Sequence, residues 1–387
     1  MPVEAVATPI TGTSTMEITV SKFELLRELT ATQGVVERKT TIPILSNYLF
    51  EASGDKLSLT ATDLDLSLRT SCNAKVKKEG SCTIPARKLH DYVKLLPDAD
   101  ITIKLLENHW VSIRCGRSNT KMVGMARSNF PSLPQFPTAG VVKIPANVLR
   151  AMIAKTTFAI ANEESRYTLN GALMVLKPES ITMVATDGHR LAHIERTGEK
   201  FDGVSGEMKT LVPKKAMDEI KSLLDSTEDV DHIEFAKDES TLYFRIGPRL
   251  LTSRQLTGQF PNFEAVLPKD NNKSITVNCD DLTGAIQRVA QFADERSRAV
   301  RMRMDKGELK ISASSTEAGE SEDSIETNYN GDSITIGFNA QYLLDFLKAA
   351  GTGDVRMEFK DAQSAGQLRP AEGEEYKYRY IVMPMRI

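Results

Sequence analysis

The chain has few of the residues that signal a catalytic or metal site. Its 387 residues include four cysteines, one tryptophan and five histidines. The cysteines, which are Cys72, Cys82, Cys115 and Cys279, form no CxxC pair and have no histidine at ligand spacing. The sequence therefore indicates neither a zinc site nor a disulfide framework. We expect reduced, structural thiols, because free cysteine commonly packs as a small hydrophobic side chain.

Long hydrophobic runs are also missing. No apolar stretch approaches the roughly 20 residues that a membrane-spanning helix needs. The N-terminal sequence MPVEAVATPITGTST lacks the basic and apolar segments of a signal peptide. We therefore expect residues 1–15 to form a flexible extension and the chain to be cytoplasmic. With 41% hydrophobic and 26% charged residues, the composition is that of a globular protein, and its length suggests two or three domains.

The motifs of nucleotide and hydrolase chemistry are absent as well. The sequence contains no GxxxxGK[ST] phosphate loop, no GxSxG elbow and no HExxH pair. The fragment most like a dinucleotide-binding loop, GTGDVR, precedes a predicted strand and not a helix. We therefore predict neither a cofactor nor a bound metal.

What the chain does have is an internal repeat. Asp63 and Asp187 occupy the same place in two matching segments, 124 positions apart. Another segment occurs three times at similar offsets, over residues 84–105, 212–235 and 337–359. Three units of one design therefore follow one another along the chain.

Within each unit the hydrophobic period changes in the same order. Alternating segments such as KLSLTATDLDLSLR predict half-buried strands, and segments such as KKAMDEIKSLL predict amphipathic helices. Another helix opens each unit, with Ser21, Pro145 and Asp280 as start signals. Because many strands follow one another without a helix between them, we predict an α+β fold of antiparallel sheet, with two helices and about six to eight strands per unit.

Proline-rich stretches separate the three units. They indicate a first domain over residues 16–140, a second over 141–268 and a third over 269–387. Each has an ordinary domain size.

The segment MVATDGHRLAHIE, residues 183–195, has the look of an active site. Asp187 and His189 could form an acid–base pair, and His189 and His193 could bind a metal if a helix placed them on one face. The alternating pattern instead predicts a strand over residues 181–194, on which positions four apart are widely separated. An Asp-Gly pair also signals a turn. We favour a turn, and a hydrolase or nuclease that uses Asp187 and His189 stays the alternative.

Several motifs resemble those of one known family. TIPILSN, TATDLDL, IPARKL, VATDGHRLA, FPNFEAVLP and YIVMPMRI are similar to segments of the bacterial DNA polymerase III beta subunit, the sliding clamp, and the resemblance covers residues 16–387. It implies three tandem clamp domains, with two helices inside and antiparallel sheets outside, in a head-to-tail dimeric ring. It also implies a non-catalytic processivity factor that encircles double-stranded DNA without reading its sequence. The implied partners are the DNA polymerase III alpha subunit, the clamp loader and other proteins with a clamp-binding motif.

The resemblance further implies DNA contacts and a dimer seam. The net charge of −3 does not oppose DNA binding if the basic residues concentrate on the helices that line the hole. The implied DNA contacts are Arg38, Lys39, Tyr167, Lys214 and Lys215. The implied seam joins Thr120 and Met122 of one chain to Gln291 and Phe292 of the other.

A third implied site is a hydrophobic groove that receives partner peptides. Its lining would be Arg166, Leu169, Thr186, Gly188, His189, Arg190, Leu191, Pro261, Val266, Asn339, Tyr342, Met383, Pro384, Met385 and Arg386. The alternative for Met383 and Met385 is that they pack in the core of the last domain. Glu163, Thr168 and Ala265 are among the positions that depart from the family's usual residues, and they would alter DNA or peptide contacts.

Overall fold

The structure is a computed structural model that describes residues 15–37, 40–162, 167–373 and 375–386. Among the sequence-based site residues, Arg38, Lys39, Glu163 and Arg166 lie outside the described residues. The same holds for residues 1–14 of the expected N-terminal extension.

The described elements repeat three times in the order strand, helix, strands, helix, strands. The first repeat contains β1 (Glu17–Ser21), α1 (Lys22–Thr32), β2 (Asn47–Ser53), β3 (Lys56–Thr62), β4 (Leu66–Asn73), β5 (Lys75–Lys78), β6 (Gly80–Pro85), α2 (Ala86–Leu95), β7 (Asp100–Leu105), β8 (Trp110–Cys115) and β9 (Ser118–Val123). The second contains β10 (Val142–Pro145), α3 (Ala146–Ala154), β11 (Gly171–Lys177), β12 (Ser180–Thr186), β13 (Arg190–Thr197), β14 (Met208–Pro213), α4 (Lys214–Ser226), β15 (His232–Lys237), β16 (Thr241–Ile246) and β17 (Arg249–Arg254). The third contains β18 (Lys273–Asn278), α5 (Cys279–Ala290), β19 (Ala299–Asp305), β20 (Glu308–Ser315), β21 (Gly319–Glu326), β22 (Ile334–Asn339), α6 (Ala340–Ala350), β23 (Asp354–Phe359), β24 (Gly366–Pro370) and β25 (Lys377–Val382).

The predicted α+β design with two helices per repeat is confirmed. The first repeat has one strand more than expected, because the short segment β5 pairs with β1. The contacts divide the chain into two compact units that cut through the second repeat. Unit 1 is Met1–Ala146 with Glu219–Arg254, and unit 2 is Asn147–Asp218 with Gln255–Ile387. The domain boundaries at residues 140 and 268 stay a prediction.

Unit 1 contains two antiparallel sheets. A five-stranded sheet has the order β5-β1-β7-β8-β9, and an eight-stranded sheet has the order β10-β15-β16-β17-β4-β3-β2-β6. The larger sheet joins four strands of the second repeat to four of the first, at the antiparallel pair β17 and β4. Its interior is apolar, and Phe50, Leu59, Phe235 and Phe244 are among its fully buried side chains.

Unit 1 also buries an ion pair. The fully buried carboxylate of Glu28 in α1 accepts hydrogen bonds from Nε and Nη2 of Arg249 in β17, at 3.0 and 3.2 Å. It also accepts from Oγ1 of Thr70 at 2.5 Å and from Nε of Arg27 at 2.7 Å. Buried charges persist in folded proteins when they are paired and hydrogen-bonded in this way.

Unit 2 is built on the same plan. Its eight-stranded sheet has the order β14-β11-β12-β13-β25-β24-β23-β18, and its four-stranded sheet has the order β21-β20-β19-β22. The larger sheet again joins two repeats, at the antiparallel pair β13 and β25. Strands from different repeats therefore continue one another in both large sheets.

The helix starts confirm one sequence prediction and correct another. Oγ of Ser21 accepts a hydrogen bond from the backbone N–H of Glu24, so Ser21 is the N-cap of α1 as predicted. Asp280 was predicted to begin α5, but the cap is Asn278, whose side chain accepts from the N–H groups of Asp280 and Asp281. Asp280 already lies in the first helical turn, whereas Asn278 has the extended backbone that an N-cap needs.

The cysteines behave as the sequence suggested. All four are buried and unpaired, and burial raises the pKa of Cys72 to about 12. None of the helices in the described ranges combines the length and apolar character needed to cross a membrane.

Candidate functional site

The turn between β12 and β13 contains the segment that suggested catalysis. The single strand predicted over residues 181–194 is two strands, because Thr186 to Arg190 fold into a hydrogen-bonded turn. Oδ1 of Asp187 accepts from the backbone N–H groups of His189 and Arg190 at 2.9 and 3.0 Å. Gly188 has a φ of 90°, which strongly favours glycine. The carboxylate of Asp187 therefore orders the turn.

The first repeat makes the same turn between β3 and β4. Oδ1 of Asp63 accepts from the N–H groups of Asp65 and Leu66 at 2.9 and 2.6 Å. Leu64 takes the place of Gly188 with a φ of 81°, a strained value for a residue with a Cβ. Since the aspartate has the same backbone role in both repeats, the turn accounts for its presence without catalysis.

The two histidines of the segment lie in different environments. His189 is exposed at the turn, whereas His193 is buried in β13 with its ring 5.6 Å from that of Phe263. Burial lowers the pKa of His193, so its ring stays neutral near pH 7. Within the described part of the chain, no three His, Cys, Asp or Glu side chains form a group that could hold a metal.

A cavity of about 130 Å³ lies beside this turn in unit 2. Most residues of the implied peptide groove line it, namely Leu169, Thr186, Gly188, His189, Arg190, Leu191, Pro261, Val266 and Met383. Phe263 and Ile381 also line it and were missed. Both could have been found in the sequence, because Phe263 belongs to the motif FPNFEAVLP and Ile381 alternates with Met383 along the last strand.

The floor of the cavity is apolar. Leu173, Val175, Val184, Leu191, Leu211 and Ile381 form a buried cluster, and Leu256, Phe260, Phe263, Leu267 and Ala365 pack against it. Val266 and Met383 are 38% and 42% exposed at the surface. The exposure of Met383 argues against its packing in the core. The cavity can therefore accept apolar side chains without rearranging its floor.

The guanidinium of Arg190 forms part of the cavity wall. Its Nε donates to Asp187 at 3.0 Å, its Nη1 to Asp345 at 2.6 Å and its Nη2 to the carbonyl of Phe158 at 2.5 Å. Burial opposes its charge, but Tyr380, Asp345 and Asp187 outweigh burial and raise the pKa of Arg190. These bonds hold the guanidinium of Arg190 in the cavity wall.

The remaining implied groove residues among those that the structure describes are not in the cavity lining. The centroid of the Tyr342 ring lies 4.3 Å from Cζ of Arg190, which is a cation–π contact. Asn339 is the N-cap of α6 and accepts from the N–H groups of Gln341 and Tyr342. Met385 donates its backbone N–H to Gly337, which holds the end of the chain next to β22. The cavity lining likewise excludes Pro384 and Arg386.

Comparisons with known proteins agree over 96% of the chain. Family models of the DNA polymerase III beta subunit match as its N-terminal domain over residues 16–134, its central domain over 143–262 and its C-terminal domain over 264–386. The chain belongs to the DNA polymerase III beta subunit family. This family is the beta sliding clamp, the non-catalytic processivity subunit of the polymerase, so the catalytic alternative is wrong.

Individual relatives and solved structures point the same way. The beta sliding clamps of Caulobacter vibrioides and Pseudomonas putida are 34% and 35% identical, and each match covers 96% of this chain and 100% of the relative. A crystal structure of the Pseudomonas aeruginosa sliding clamp bound to griselimycin matches with a TM-score of 0.89 and 34% identity. The Bartonella birtlesii clamp bound to griselimycin matches with a TM-score of 0.90 and 32% identity. Each structural match covers 96% of this chain and 100% of the other.

Three of the DNA contacts implied by the clamp family lie in described residues. Tyr167 is 72% exposed, and Lys214 and Lys215 begin α4. Asn170 connects these positions, because its N–H donates to the carbonyl of Tyr167 and its carbonyl accepts from the N–H of Lys214. Nζ of Lys214 also forms an exposed ion pair with Asp218 at 2.9 Å. The fold thus brings Tyr167 next to the start of α4.

The implied seam residues of the clamp family lie at sheet and helix ends. Thr120 and Met122 alternate along β9, the last strand of the five-stranded sheet. Gln291 is the C-cap of α5, and Phe292 follows it. Both pairs are partly accessible in the single chain.

Proposed function

We propose that two copies of this chain close head to tail into a ring around duplex DNA in the cytoplasm. The observation that carries this proposal is an equivalence between strands. The last strand of the second repeat, β17, pairs with β4, and the last strand of the third repeat, β25, pairs with β13. The equivalent strands β9 and β21 lie at the edges of their sheets. A second copy would complete both edges by the same pairing and close the assembly.

The charges of these two edges favour this pairing. Lys121 is exposed on β9, and Glu320, Glu322 and Glu326 are exposed on β21. Complementary charges promote the correct encounter and disfavour pairing of an edge with its own kind. Analytical ultracentrifugation should show a dimer at micromolar concentration, and its dissociation should increase with salt. A monomer under these conditions would contradict the ring.

The exposed side chains at the start of α4 support a DNA-holding role. Lys214, Lys215 and the helix N-terminus all favour phosphate, and such contacts do not depend on base sequence. The decisive assay is retention on nicked circular DNA. A closed ring should stay on the circle and slide off once the circle is linearised, whereas a protein bound only to the DNA surface would not distinguish the two forms. Lys214→Ala and Lys215→Ala should each reduce the salt dependence of binding.

The groove supports a tethering role for the polymerase alpha subunit, the clamp loader and other proteins that carry a clamp-binding motif. Its apolar floor can receive the leucine and phenylalanine side chains of an extended peptide. Met383 is pliable enough to accommodate different sequences. His189 is exposed at the rim and can hydrogen-bond the peptide.

A fluorescence polarization assay with a peptide that carries Gln followed by Leu and Phe tests this site. Val266→Asp should weaken binding at least tenfold, because it places a charge on an apolar wall. Leu95→Asp is the matched control, since Leu95 is 84% exposed at the end of α2 in unit 1. His189→Ala should weaken peptide binding while leaving retention on circular DNA intact. Equal peptide affinity in the Val266 variant and the wild type would rule out the groove but would leave the ring untouched.

A further inference from the structure

The floor of the groove in unit 2 depends on one row of side chains across three strands. Leu173 on β11 faces Val184 on β12, and Val184 faces His193 on β13. Val175 extends this face along β11, and Phe263 covers the row. The side chains of the row are buried and apolar, apart from the neutral imidazole of His193.

Unit 1 has the equivalent row with polar side chains. Leu49 on β2 faces Thr60 on β3, and Thr60 faces Arg69 on β4. Glu51 extends this face along β2 as Val175 does in unit 2. A cavity of about 150 Å³ lies over the row, bounded by Arg127 and by residues 130–133 and 135. The first repeat therefore contains a polar pocket where the second repeat has an apolar floor.

Arg69 is the unusual residue of this pocket. Its Nε is shut off from solvent and has no hydrogen-bond partner among the described residues. Its Nη1 reaches Oε1 of Gln135 only at 3.5 Å, the limit of a hydrogen bond. Arg127 pairs with Glu51 at 3.2 Å and neutralises it. The pocket thus retains the positive charge of Arg69 and a buried donor without an acceptor, which is an unfavourable arrangement.

We propose that this pocket binds a carboxylate, supplied by an acidic side chain or by the C-terminus of a peptide. A carboxylate can accept from Nε and Nη of one guanidinium in parallel, which would satisfy the unpartnered donor and pair the charge. Thr60 can add a hydroxyl donor from the floor, and Phe130 and Leu133 provide apolar walls. A phosphate dianion would bring more negative charge than the one unpaired guanidinium of Arg69 can balance. The site is separate from the apolar groove and does not depend on its proposed role.

Methyl NMR of the full-length protein can test the pocket, because Leu49 and Leu133 line it. The probes are N-acetylaspartate N-methylamide for a side-chain carboxylate, N-acetylglycine for a terminal one, neutral N-acetylglycinamide, and inorganic phosphate. At least one carboxylate should shift both methyl signals saturably, with at least tenfold higher affinity than the neutral amide. The tighter of the two carboxylates identifies the source. No saturable shift with either carboxylate, or tighter binding of phosphate, would overturn the proposal.

Variants of Arg69 assign the effect to its guanidinium. Arg69→Gln should weaken carboxylate binding at least tenfold. Arg69→Lys keeps the charge but loses the parallel donors, so it should weaken carboxylate binding several-fold. Arg114→Gln is the matched control, since Arg114 is exposed on β8 in the other sheet of unit 1. The methyl signals of Leu57 and Leu59, which are fully buried on β3 next to β4 in unit 1, report whether each variant remains folded. Unchanged affinity in folded Arg69→Gln would refute the assignment.

Discussion

The buried carboxylate of Glu28 allows a direct test of what stabilises unit 1. Glu28→Gln preserves the shape of the side chain but removes the charge that faces Arg249. The side chain of Arg249 is only 3% exposed, so its charge would remain buried without a carboxylate. Breaking a buried ion pair in this way typically costs about 3 to 5 kcal/mol. Arg249 also donates to Oγ1 of Thr227 at 2.7 Å, so we expect the lower end, about 3 kcal/mol.

Urea unfolding followed by tryptophan fluorescence measures this cost. Trp110 is the only tryptophan of the chain and lies in unit 1, 42% exposed, so its emission reports the unfolding of that unit. With a denaturant slope of about 2 to 3 kcal/mol per molar, the midpoint for Glu28→Gln should fall by about 1 M. Protein concentration must be fixed, because dimerisation contributes to the apparent stability.

Glu24→Gln is the matched control on the same helix. Glu24 also pairs with Arg27, at 2.9 Å, but its side chain is 28% exposed, and surface pairs contribute about 0 to 1 kcal/mol. A double replacement of Glu28 and Arg249 by methionine should recover most of the loss, because no unpaired charge remains. If Glu28→Gln shifted the midpoint no more than Glu24→Gln, the buried pair would not have the assigned role.

Three further outcomes follow from local geometry. Burial would raise the pKa of Glu28, but hydrogen bonds from Arg249, Thr70 and Arg27 outweigh burial and lower the pKa. The stability that the ionised Glu28 contributes is therefore present above its unfolded pKa of about 4.3 and is lost as pH falls through the lowered folded pKa. Acid titration below about pH 4 should accordingly destabilise Glu28→Gln less than the wild type. Leu64→Gly should raise the free energy of unfolding by up to about 1 kcal/mol, and with it the urea midpoint, because it relieves a positive φ at an exposed residue. Leu95→Gly in α2 should instead lower the midpoint. Asn278→Ala should lower the free energy of opening of the first turn of α5, measured by amide hydrogen exchange, by about 1 kcal/mol. Asp280→Ala should lower it by less than half of that. The reverse order would contradict the assignment of Asn278 as the N-cap.

The repeat and the local periodicity could be predicted from the sequence, because each depends on residues close together in the chain. The turn at Asp187 is an example, since its match with Asp63 already indicated a shared backbone role. The cap of α5 was misassigned, because Asn278 and Asp280 are both good cap residues and only the backbone conformation distinguishes them.

The pairing between repeats could not be derived from local patterns. The alternating patterns of β4 and β17 do not indicate that these two strands pair, because hydrogen bonds between strands form through the backbone whatever the residue. The same limit explains Arg190. Its place beside the groove follows from the motif, but its bonds to Asp345 and Phe158 join segments that are distant in sequence.

The pairing of β17 with β4 has a consequence for how the chain is made. When β4 leaves the ribosome, the strand that completes its sheet, Arg249–Arg254, has not been synthesised. At about 5 to 20 residues per second, the nascent first repeat carries an open strand edge for on the order of ten seconds or more. Pairing of two such edges on neighbouring nascent chains would produce edge-to-edge aggregates, a hazard that ends only when β17 has been made and pairs with β4.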